Sequence, residues 1–111
     1  FSVAVGSAAG KTGQGSESVA VGYQCGEMGQ GDQSVAIGDE AGQSYQNTQS
    51  VAVGYRCGQI AQGSQSVTIG DEAGQSYQNA QTVAIGYKSG QIGQKNRDGN
   101  SSNWGKIAKN M

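Results

Sequence analysis

The sequence predicts an all-β chain, a parallel β-roll solenoid in which short strands stack coil upon coil. Three observations carry that expectation. The segment Ser18-Val19-Ala20-Val21-Gly22 returns as Ser2 to Gly6, Ser34 to Gly38, Ser50 to Gly54, Ser66 to Gly70 and Thr82 to Gly86, six copies at a constant interval of sixteen residues. Self-similarity at a fixed period marks units that bury an apolar face only by stacking on their neighbours. Composition agrees: 34% of the 111 residues are apolar, 20 are Gly and none is Pro or His. A compact globule would be short of core material at these values, whereas a solenoid needs only a thin apolar seam repeated in every coil. The third observation is the alternation inside each copy.

Each repeat is numbered here from its Ser or Thr. Val fills the second position throughout (Val3, Val19, Val35, Val51, Val67, Val83), Ala or Thr the third, and Val or Ile the fourth, including Val21, Ile37, Val53 and Ile69. A period-two run of β-branched residues is a short strand with Val/Ile on one face and small residues on the other. Such a strand belongs between a narrow interior that admits only small side chains and a second apolar surface, for which another chain is a candidate. A lone chain would expose an apolar stripe, so the expected assembly is a parallel homotrimer.

Gly occupies the fifth and ninth positions in every copy, with a small residue at the eighth (Ala9, Cys25, Ala41, Cys57, Ala73, Ser89), which reads as a tight corner. The fourteenth position holds Gly15, Gly31, Asn47, Gly63, Asn79 and Lys95. Gly exchanged for Asn suggests positive φ and places a second corner there. The thirteenth position is always Gln, including Gln30, Gln46, Gln62 and Gln78. At a sheet spacing of roughly 4.8 Å these amides are expected to bond up and down the stack, a binding stripe being the alternative.

A thirty-two-residue unit overlies the short one. Copies starting at Ser18, Ser50 and Thr82 carry Tyr23, Tyr55 and Tyr87, whereas those starting at Ser34 and Ser66 carry Asp39-Glu40 with Tyr45 and Asp71-Glu72 with Tyr77. These rows are the candidate surface contacts. For the carboxylates a solvated acidic row stands beside a metal site, and for the tyrosines a packed ladder stands beside a sugar- or protein-binding strip. Residues 1–97 form the repeat domain, and 98–111, where the phase is lost, read as a cap or connector.

Net charge is −1, which gives no field favouring nucleic acid or an anionic membrane. No transmembrane run or secretory signal is visible, and an opening directly on a repeat suggests a fragment of a longer protein. Gly6-Ser7-Ala8-Ala9-Gly10-Lys11-Thr12 falls one residue short of a phosphate-binding loop. With no His and no recurring nucleophile–base pair, no catalytic residue, cofactor or metal ligand is assigned and no enzyme is expected. Cys25 and Cys57 share the eighth position two coils apart, about 10 Å by strand spacing. That exceeds the roughly 7 Å limit for a disulfide, so they are expected as small buried thiols, with a bridge between chains left open.

The recurring Ser-Val-Ala-Ile/Val-Gly followed by spaced glycines, from Ser2 to about Arg97, resembles the head repeats of YadA-type trimeric autotransporter adhesins. The resemblance implies a left-handed parallel β-roll, three chains about a threefold axis, and attachment to a host-surface protein or glycan. Similar repeats also occur in fibres of phages and large viruses. The expected function is therefore a non-enzymatic segment, head or shaft, of an extracellular fibre on a cell surface or virion. Two alternatives are a purely structural spacer in a fibre and a monomeric solenoid with a flat binding face, such as an ice binder.

Overall fold

In the computed structural model the described residues are 1–75 and 79–90, with the backbone of 106–107. The chain is an all-β solenoid. Its strands are β1 (Val3–Val5), β2 (Val19–Val21), β3 (Val35–Ile37), β4 (Val51–Val53), β5 (Val67–Ile69), β6 (Val83–Ile85) and β7 (Lys106–Ile107). They form one parallel sheet in sequence order. The register sets like residue on like residue, Val19 on Val35 and Ala20 on Ala36, then Val35 on Val51 and Ala36 on Ala52. Parallel strands need a crossover between them. Here the crossover is the remainder of the repeat, which returns by way of single-residue parallel bridges Thr12 to Met28, Met28 to Ser44 and Ser44 to Ile60.

Alternation decides what fills the coil. Ala20, Ala36, Ala52, Thr68 and Ala84 point inward and are fully buried, together with Cys25, Ala41, Cys57 and Ala73 at the corner. Val and Ile of the same strands face outward, so the narrow interior holds the small side chains, as the sequence predicts. The rest of the interior is polar. Ser18, Ser34 and Ser50 are buried, and Ser18 Oγ donates to the Gly15 carbonyl at 2.6 Å, as Ser50 Oγ does to Asn47. The hydroxyl thus satisfies a turn carbonyl that the coil would otherwise bury without a partner.

The invariant Gln behaves differently from the expected ladder. Gln30, Gln46 and Gln62 are buried, and each Nε2 donates across its own coil to a strand carbonyl, Val19 at 2.7 Å, Val35 at 2.8 Å and Val51 at 2.8 Å. A direct rung joins Gln46 Nε2 to Gln62 Oε1 at 3.1 Å. The side chain is long enough to span the flattened interior, so its first partner is the opposite wall and not the next coil. Gln78 lies outside the described residues.

The second corner also departs from the sequence expectation. Gly15, Gly31, Gly63 and Asn47 do not have positive φ; among the described residues the left-handed ones of this corner are Gly13, Gly29, Tyr45 and Ala61 at the twelfth position, and Glu17, Gln33, Gln49, Gln65 and Gln81 at the sixteenth. Gly at the fourteenth position answers to crowding instead, since a Cβ on Gly31 would meet the Asn47 carbonyl carbon at 2.4 Å. At the first corner both causes act. Gly38 has φ +129°, and a Cβ there would lie 2.3 Å from the Gly54 carbonyl oxygen.

Candidate functional site: a tyrosine and aspartate row beside a valine seam

Two columns of side chains leave the first corner, directly after the strand and its Gly. The sixth position carries Tyr23, Asp39, Tyr55, Asp71 and Tyr87, and the seventh Gln24, Glu40, Arg56, Glu72 and Lys88. Backbone bonds stitch this corner coil by coil: Glu40 N donates to Tyr23 O at 2.8 Å, Arg56 N to Asp39 O at 2.8 Å, Glu72 N to Tyr55 O at 2.7 Å and Lys88 N to Asp71 O at 2.8 Å. The seventh residue takes left-handed φ near 53–60° (Gln24 53°, Glu40 60°, Arg56 54°). Such backbone is costly for a residue with a Cβ, and the repeated inter-coil bond holds it in place. Both columns are consequently fixed to the rigid sheet.

The structure separates the expected acidic row into two kinds of carboxylate. Glu40 accepts from Arg56 Nε at 2.7 Å and from Gln59 Nε2 at 3.1 Å, and Glu72 lies 3.7 Å from Lys88 Nζ. These two are half-buried members of an alternating ion-pair column, which corrects the picture of a uniformly solvated acidic row. Asp39 and Asp71 are exposed. Adjacent residues diverge at the corner, and among the described residues no group of three or more acidic, His or Cys side chains is placed to hold a metal ion.

Tyr23, Tyr55 and Tyr87 are exposed, at 51%, 41% and 58%. The Arg56 guanidinium sits 5.1 Å from the Tyr55 ring centre and Lys88 Nζ 5.2 Å from that of Tyr87. Each basic side chain therefore serves the carboxylate of the coil before it and the ring beside it. The bond to Glu40 raises the Arg56 pKa, and contact with Tyr87, followed by the charges of Glu72 and Asp71, raises that of Lys88. Tyr45 does not join this row. It lies at the other corner, 65% exposed, with its ring edge against Gly29, and Tyr77 falls outside the described residues.

The outward face of the sheet borders the row. Val19, Val21, Val35, Val51, Val53 and Val67 are half-buried, while Ile37 and Ile69 are exposed at 39% and 38% in the middle of the stack. They form continuous apolar columns. Cys25 and Cys57 face the opposite way, fully buried and free, and burial raises both thiols, Cys57 to about 12.

Two amide ladders were not anticipated. At the sixteenth position Gln33 Nε2 donates to Glu17 Oε1 at 3.0 Å, and Gln49 to Gln33, Gln65 to Gln49 and Gln81 to Gln65 each at 3.3 Å. At the tenth, Gln43 donates to Glu27 at 3.1 Å, Gln59 to Gln43 at 3.0 Å and Gln75 to Gln59 at 3.2 Å. The signal was the recurrence of Gln at both phases, where a Glu in the first coil of each ladder supplies the terminal acceptor. Compared with protein-family models, curated proteins and solved structures, the chain matches none at a significant level.

Proposed function

We propose that this chain is a non-enzymatic segment of an extracellular attachment fibre on a cell surface or virion. Six left-handed coils of sixteen residues stack into a stiff rod, and three parallel copies pack through the Val/Ile seam. The rows at the first corner make repeated weak contacts with a host-surface protein or glycan, and multivalency raises their combined strength. The observation that carries this reading is the division of labour within strands β2 to β6: the middle residue, Ala or Thr68, is fully buried while Ile37 and Ile69 on the reverse face remain exposed in the middle of the stack. Apolar columns of this regularity on a water-facing sheet call for a partner surface with the same repeat, and a second copy has it.

The reading is tested by retention of beads carrying the chain on host-cell layers. Tyr23, Tyr55 and Tyr87 changed together to Ser should abolish retention while the circular dichroism spectrum is kept. Equal retention of the folded variant would assign the segment to the role of a spacer.

A further inference from the structure

The last strand of the sheet breaks the pattern of the other six. β1 to β6 recur every sixteen residues and have three residues each, whereas β7 has two, and its Lys106 pairs with Ala84, twenty-two residues before it. We infer that β7 is a terminator: it satisfies the outer edge of β6 and bars a second copy of this chain from stacking a further coil on the C-terminal end. The role follows from the fold and holds whether the chain is single or trimeric.

Stacking in this solenoid is generic. Each pair from β1 and β2 to β5 and β6 is parallel and sets like residue on like, and each coil hands the next the same bonds. Gly22 N donates to Val5 O, Gly38 N to Val21 O, Gly54 N to Ile37 O and Gly70 N to Val53 O, at 2.7 to 2.9 Å. The first coil of a second copy offers the same groups. Such a contact is head-to-tail, and a head-to-tail contact that does not close propagates into a filament. An unprotected edge strand is where that growth begins.

Two residues at the C-terminal end forbid it. The first is Lys106. Its register partner Ala84 belongs to the inward column, in which Ala20, Ala36, Ala52, Thr68 and Ala84 are fully buried. A further coil would turn the Lys106 position into interior as well, and an unpaired ammonium there carries a large desolvation cost. The second is Ala108. Gly follows each of β1 to β6, with φ between +121° and +132°, whereas Ala follows β7 in the sequence. A residue with a side chain rarely adopts that backbone. Space is closed to it too: a Cβ on Gly6, Gly22, Gly38, Gly54 or Gly70 would lie 2.2 to 2.7 Å from the carbonyl oxygen of the Gly one coil further on. In the same register, Ala108 would set such a Cβ in the path of the next coil. Shortness and a charge at an inward position are among the means by which natural sheets blunt an edge, and β7 has both. The opposite edge, β1, keeps Ala4 and Gly6 at these two positions.

The test restores the repeat: Lys106→Ala with Ala108→Gly gives β7 the residue types of the other strands at the third and fifth positions. Sedimentation velocity of the full chain over a wide concentration range is the readout, with circular dichroism to confirm the fold. The unaltered chain should keep one mass throughout, whereas that of the double variant should rise with concentration to at least about twice the unaltered value. Adding Ala4→Pro should return it to the unaltered mass. Val3 N and Val5 O are bonded to the second coil, so the Ala4 N–H lies on the free edge, and Pro lacks that donor. Constant mass in the double variant would overturn the assignment, as would growth that survives Ala4→Pro or growth of the unaltered chain. Should the double variant lose the solenoid spectrum, Lys106→Ala alone carries the same outcomes.

Discussion

Arg56 Nε donates to Glu40 Oε1 at 2.7 Å, joining two successive coils through side chains that the sequence keeps sixteen residues apart. The seventh position alternates acid and base, so stacking converts a repeat with drifting charge into a ladder. Because the Arg56 side chain is 40% exposed, solvent and salt screen the pair. Arg56→Ala should lower the thermal midpoint slightly in dilute buffer and not at all in molar salt, as followed by circular dichroism.

The interior tolerates little. Ala52 is fully buried between Ala36 and Thr68 in the register. Ala52→Leu should cost about 1–3 kcal/mol or more in chemical denaturation, since the flattened coil has no room to relax.

Glycine positions divide by cause. Gly38→Ala places a Cβ 2.3 Å from the Gly54 carbonyl oxygen at φ +129° and should prevent cooperative folding. Gly13→Asn, at φ +73° with the nearest atom 3.6 Å away, should cost no more than about 1 kcal/mol, since Asn visits the left-handed region readily. Thermal melts of the two variants give the comparison.

Burial raises the Cys57 thiol to about 12, from 9.0 for an unhindered thiol. The sign follows from linkage: the folded chain keeps the proton where the unfolded chain loses it. This contribution to stability is complete below pH 9 and declines as pH rises toward 12. Both thiols should therefore resist an aromatic disulfide reagent at pH 8 in the folded chain and react at once in denaturant.

Much of the fold was legible because the repeat reports it directly. Val at the second position and Ala at the third specify a strand and its inward face, and the structure buries Ala20, Ala36 and Ala52 accordingly. Where the sequence reading failed, one residue type had two physical uses. Gly31 is demanded by the approach of Asn47 and not by φ, whereas Gln33 and Gln49 accept left-handed backbone that their type does not advertise. Gln62 braces its own coil through the Val51 carbonyl and also accepts a ladder rung from Gln46, while longer ladders lie at Gln33–Gln49 and Gln43–Gln59. The corner columns were visible by phase, but the division between paired Glu40 and exposed Asp39 depends on which side of the corner each occupies, which spacing alone does not state.

Sedimentation equilibrium of the chain at several concentrations tests the central claim most directly. The Val/Ile seam predicts a stable mass of three chains, reduced to one by Ile37→Lys with Ile69→Lys while the spectrum of the folded solenoid persists. A monomer of the unaltered chain at every concentration would contradict it.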